Sequence, residues 1–177
     1  MKDFSFKFID IMVGVILGLG FQWWPNLTHP WQYMAFVFVY LDIVDYWIDY
    51  APSLKKFPPR RELDLMIDVA IMFALFFYIY AVQLGIIHFL FAFSLLRFFD
   101  FLWLLRARGQ YHPAGFENAF VKAYLLADAV EVLVAFAFIT FIGIKAVPVL
   151  ATLIAFIAFR ILARIWASFQ YKRVYFA

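Results

Sequence analysis

The sequence predicts an all-α, polytopic membrane protein: a six-transmembrane-helix bundle of three hairpins with both termini in the cytoplasm. Three observations carry that expectation. Hydrophobic residues make up 67% of the 177-residue chain and aromatic residues 23%, and the mean hydropathy is +0.88; an ordinary soluble domain is only roughly 45–50% apolar. The apolar residues fall into six runs, each close to the about 20 residues that cross a hydrocarbon core of about 30 Å. Lysine and arginine gather at alternate ends of those runs.

The first span, about residues 5–24, follows MKDFSFK and runs on into QWWPN without the small-residue cleavage site of a signal peptide, so it is read as a membrane helix. Pro25 and Pro30 separate it from a second span at about 31–51, and Pro52, Pro58 and Pro59 separate that from a third at about 62–83. Gly85 opens the fourth, about 85–106. Gly109, Pro113 and Gly115 then precede the fifth, about 121–142, and Gly143 precedes the sixth, about 146–168. Every connection is short, so residues 1–177 form a single transmembrane domain.

Orientation follows from the basic residues. Lys2, Lys7, Lys55, Lys56, Arg60, Arg61, Arg106, Arg108, Lys122, Lys172 and Arg173 fall on one side of the predicted bundle and Lys145 alone on the other. The positive-inside rule puts the first set, with both termini, in the cytoplasm. Trp23, Trp24 and Trp31 then belong to the outer aromatic belt.

Composition also excludes chemistry. There is no cysteine, hence no disulfide, thiolate metal site or cysteine nucleophile. The net charge of +3 comes without a basic run long enough to follow a phosphate backbone, so nucleic acid is not an expected partner; the lipid bilayer is. His29, His88 and His112 are too far apart in sequence to suggest haem or zinc ligation, and no catalytic residues can be assigned.

The stretch LDIVDYWIDY, residues 41–50, carries the functional signal. Asp42, Asp45 and Asp49 share one helical face by their i, i+3, i+7 spacing. At 1.5 Å per residue they sit roughly 14, 9 and 3 Å into the membrane from its cytoplasmic edge. The other helices repeat the pattern with Asp10, with Asp64 and Asp68, with Arg97 and Asp100, with Asp128 and Glu131, and with Arg160 and Arg164. One charge facing lipid costs about 2.5–3.5 kcal/mol on insertion scales, so these faces are expected to turn inward. Nine carboxylates against Arg97, Arg160 and Arg164 leave acids that must bind a cation, take up protons or be wetted from the cytoplasm. Gly14 and Gly18, in line with Lys7 and Asp10, are expected to let a neighbouring helix come close.

An inverted three-plus-three repeat would carry the charges of the first half into the outer half of the second, and no such outer charges occur. A cavity open inward and sealed outward by apolar residues is expected instead.

Three resemblances accompany these readings. FID at residues 8–10 and YMAFVFVYLDIVDYW at 33–47 resemble the first two helices of the transmembrane-175 family of potassium and proton channels. The likeness covers about residues 1–105, with Ile9 where that family has serine, and it implies a six-helix ion channel. RELDLMIDVAIMF followed by FSLLRFFDFLWLLRAR is similar to the third and fourth helices of voltage-sensor domains, which implies acids facing arginines across two helices. The spacing of Asp42, Asp45 and Asp49 resembles the aspartate motif of UbiA-type prenyltransferases, and implies that these three hold Mg2+ and a diphosphate.

The function expected from the sequence is an integral membrane cation or proton channel or transporter, homo-oligomeric. Its ion pathway is assigned to Asp10, Asp42, Asp45, Asp49, Asp64, Asp68, Asp100, Asp128 and Glu131, with Arg97, Arg160 and Arg164 as internal counter-ions. No cofactor is expected for that function. Two alternatives remain open: an intramembrane Mg2+-dependent enzyme acting on a phosphorylated or diphosphate lipid, and a structural or assembly protein with an inward polar groove.

Overall fold

Long apolar runs with few breakers can satisfy their backbone hydrogen bonds in lipid only as helices, and the fold is helical throughout. The computed structural model describes residues 2–144 and 147–170, with side chains from Lys7 onward. Helix α1 (Lys2–Gly20) passes into a 3-10 turn over Phe21–Asn26, followed by α2 (Pro30–Lys56), α3 (Glu62–Leu84), α4 (Ile86–Tyr111), α5 (Gly115–Ile144) and α6 (Val149–Gln170). No strand occurs among the described residues.

Among the described residues, five segments are long and apolar enough to cross a membrane: α1 with its 3-10 turn, α3, α4, α5 and α6. Helix α2 is 27 residues long but less apolar, because Gln32, Asp42 and Asp45 interrupt its run. Lys145, Lys172 and Arg173, which enter the expected charge asymmetry, lie outside the described residues.

Several helices outrun their apolar stretches, since hydropathy marks where lipid ends and not where backbone hydrogen bonding ends. Helix α2 continues through Pro52, expected to end it, because Leu54 and Phe57 beyond are buried at 2% and 4% exposure. Pro58 and Pro59 stop the chain there. Helix α4 runs through Gly109 and ends where His112 turns left-handed (φ 48°) before Pro113. Helix α5 begins at Gly115, six residues before the expected start, and its polar first turn is tied to α2 by a Lys56–Glu117 ion pair of 2.7 Å.

Helices consecutive in the chain run antiparallel. Helices α2, α3, α4, α5 and α6 pack in sequence around a ring that α6 closes by returning to α2. Helix α1 lies outside that ring against α2 and α3, burying a stripe of Ile9, Val13 and Ile16 at i, i+4, i+7. Gly14 and Gly18 do not serve the expected close approach within the chain. Both are exposed, and a Cβ at either would meet nothing within 4 Å. The close approach is at Gly20, where a Cβ would lie 2.5 Å from the Tyr40 hydroxyl oxygen and 3.0 Å from Ile79.

The ring interior has two layers. The one away from the basic helix ends is aromatic: Phe156 of α6 meets Phe93 at a ring separation of 4.8 Å, Phe89 at 5.6 Å, Phe38 at 6.2 Å and Phe138 at 6.3 Å. The other, toward the basic ends of the helices, is charged. Apolar faces gain little from association in lipid, so the charged layer is a principal source of specific helix pairing.

Candidate functional site

A guanidinium placed at Arg97 by α4 points into the ring, where three other helices bring acids or a second arginine to it. Arg97 lies 2.9 Å from Glu131 of α5 and 3.4 Å from Asp42 of α2. Arg160 of α6 contacts the same two acids, Asp42 at 2.9 Å and Glu131 at 3.1 Å. Each acid gives one oxygen to each arginine, so the four side chains close a cyclic, charge-balanced quartet drawn from four helices. All four are buried. Arg97 and Asp100, one turn apart on α4, make only a secondary contact of 4.0 Å.

On the basic side of the quartet, Asp100 and Asp128 approach the same Arg97 nitrogen, Nη1, at 4.0 and 3.9 Å. The two carboxyls are within hydrogen-bonding reach of each other. Asp100 accepts a 3.2 Å hydrogen bond from the Tyr46 hydroxyl, whereas Asp128 Oδ2 is buried and receives none. Four buried carboxyls thus face two guanidiniums in this part of the ring.

Below it, Arg164 of α6 meets Asp45 at 2.9 Å and also contacts Asp49 and the Tyr124 hydroxyl; Tyr124 donates to Asp49 as well. On the far wall Tyr50 donates a 2.6 Å hydrogen bond to the fully buried Asp68 of α3. Tyr46 and Tyr50 stack with ring centres 5.1 Å apart, placing the two hydroxyl–carboxyl pairs in succession along α2. Between these groups lies a cavity of about 20 Å3, lined in part by Tyr46, Tyr50, Asp100, Arg97, Arg160 and Arg164. It has room for about one water molecule.

Two of the predicted acids stand apart. Asp64 lies at the start of α3, where it accepts from the backbone N–H groups of Arg60 and Arg61 (3.0 and 2.9 Å) and pairs with Arg106 at 2.7 Å. Its neighbourhood is that of a helix cap. Asp10 sits on α1 outside the ring and accepts a 3.0 Å hydrogen bond from Trp47 Nε1, which joins the FID segment to the second half of α2. Asp42, Asp45 and Asp49, the predicted Mg2+ set, divide between arginines: Asp42 faces Arg97 and Arg160, the other two Arg164. Among the described residues no group of three or more Asp, Glu or His side chains is placed to hold a metal ion.

Sequence reasoning missed the tyrosines. Tyr46 and Tyr50 follow Asp42 at i+4 and i+8 and so share its face, a signal hidden by the abundance of aromatic residues. No family model matches the chain, and no curated protein or solved structure is similar to it.

Proposed function

We propose that all six helices span the membrane with both termini cytoplasmic, and that the chain is a proton channel or proton-coupled transporter, held closed by the quartet and the phenylalanine layer. The single observation that carries this reading is the Asp100–Asp128 pair set against one guanidinium nitrogen. Two carboxylates in contact cannot both stay ionised without a strong penalty, so one proton is shared between them. Tyr46 with Asp100 and Tyr50 with Asp68 extend the line of exchangeable protons toward the cytoplasm.

A proton fits this interior better than a potassium ion. The cavity of about 20 Å3 is too small for a hydrated cation, while a proton needs only a chain of hydrogen bonds. Spanning by α2 is supported by its parallel contacts with α6 at Asp42–Arg160 and Asp45–Arg164, which turn its acids away from lipid.

Proton flux into liposomes, followed by an entrapped pH-sensitive dye under an imposed membrane potential, tests the proposal. Flux above that of empty liposomes, lost in the Asp100→Asn, Asp128→Asn double variant, is the expected result. Wild-type protein with no flux at any potential or pH gradient would overturn it and favour a purely structural role for the quartet.

A further inference from the structure

Tyr78 of α3 occupies the boundary between the two layers. Its ring belongs to the aromatic layer, 5.3 Å from Phe89 and 5.8 Å from Phe93 between ring centres. The residue is 0% exposed, and its hydroxyl has no hydrogen-bond partner. Side chains on a helix lean toward its N-terminus, which for α3 is the basic end, so the hydroxyl leans toward the charged layer. The charges that act on it are Asp42, Arg97, Arg160 and Glu131, the members of the quartet. Across the same boundary Arg160 Nε is also buried and unpartnered. An orphaned donor and an orphaned hydroxyl on either side of one boundary are uncommon in a native interior, where buried polar groups are paired.

We propose that Tyr78 is the outer gating residue of the path, its hydroxyl receiving Arg160 when that side chain leaves the quartet. The proposal rests on the proton-pathway reading above. In the closed form both groups forgo a hydrogen bond. When Arg160 turns outward, its N–H donates to the phenol oxygen and Asp42 and Glu131 each lose one donor, which opens the outer end of the quartet. The phenol keeps its own proton throughout and acts by holding Arg160 out of the quartet.

Two variants in the liposome assay, with melting temperatures in detergent, test it. Tyr78→Phe keeps the ring and removes only the hydroxyl; flux should fall at least tenfold while the melting temperature holds or rises, since the deleted group is unpaired. Tyr78→His restores a hydrogen-bonding group at the cost of packing, and should recover part of the flux despite a lower melting temperature. A packing role ranks the variants the other way, with Phe the more active. Unchanged flux in Tyr78→Phe, or loss of its folded protein, would overturn the proposal. Absence of flux from the wild type would instead strike the underlying pathway reading.

Discussion

Removing Arg160 should be costly alone and much less so when Glu131 goes with it. In the quartet Arg160 supplies one contact to Asp42 (2.9 Å) and one to Glu131 (3.1 Å), and all three side chains are buried. Arg160→Met leaves two buried carboxylate oxygens facing each other without their donor, a loss of about 3–5 kcal/mol. At about 2–4 °C per kcal/mol for a chain of this size, the melting temperature falls by about 6–20 °C. Glu131→Leu alone leaves Arg97 and Arg160 both held by Asp42 and should cost about 1–3 kcal/mol. The double variant keeps the balanced Arg97–Asp42 pair and replaces the other by apolar groups of similar size, an exchange that is often neutral in a buried site. It should therefore be more stable than Arg160→Met by at least half of the single loss. Thermal unfolding of the four proteins in one detergent gives the cycle. Additivity within about 0.5 kcal/mol would refute the cyclic quartet, because uncoupled sites add to that tolerance.

Two further predictions concern the frame around the site. Gly20→Ala should destabilise by about 1–3 kcal/mol through overpacking against the Tyr40 hydroxyl at 2.5 Å, while Gly14→Ala, which meets nothing within 4 Å, should leave the melting temperature unchanged. Asp64→Ala should lower stability by about 1–3 kcal/mol, as the loss of a cap and a charged hydrogen bond requires, and leave proton flux per folded molecule intact; a flux loss as large as that of the Asp100, Asp128 variant would return Asp64 to the pathway.

The helical, membrane-compatible character was legible because composition and run length alone dictate it: the runs that became α3, α4, α5 and α6 are apolar over enough residues to leave no other option. Helix ends were not legible where tertiary burial prevailed over local signals, as at Pro52, with Leu54 and Phe57 anchored beyond it. Helical periodicity gave the inward faces of α2 and α5, but spacing within a helix cannot say which acid meets which arginine. Arg97 and Asp100 are neighbours in sequence, yet the shorter contacts of Arg97 reach Glu131 and Asp42 on other helices. Glycine spacing is likewise silent on which neighbour, if any within the chain, comes close. Gly14 and Gly18 have the spacing of a packing face, but the buried stripe of α1 is set by Ile9, Val13 and Ile16 one face away.

Infrared spectroscopy of the purified protein, with aspartate isotopically labelled at its side-chain carboxyl carbon, tests the shared proton most directly. A carbonyl stretch from a protonated aspartic acid should be present at neutral pH, shift on labelling, and disappear in the Asp100→Asn, Asp128→Asn double variant. A wild-type spectrum with every aspartate ionised at neutral pH, or a protonated-acid band unaltered in that variant, would contradict the proton shared by Asp100 and Asp128.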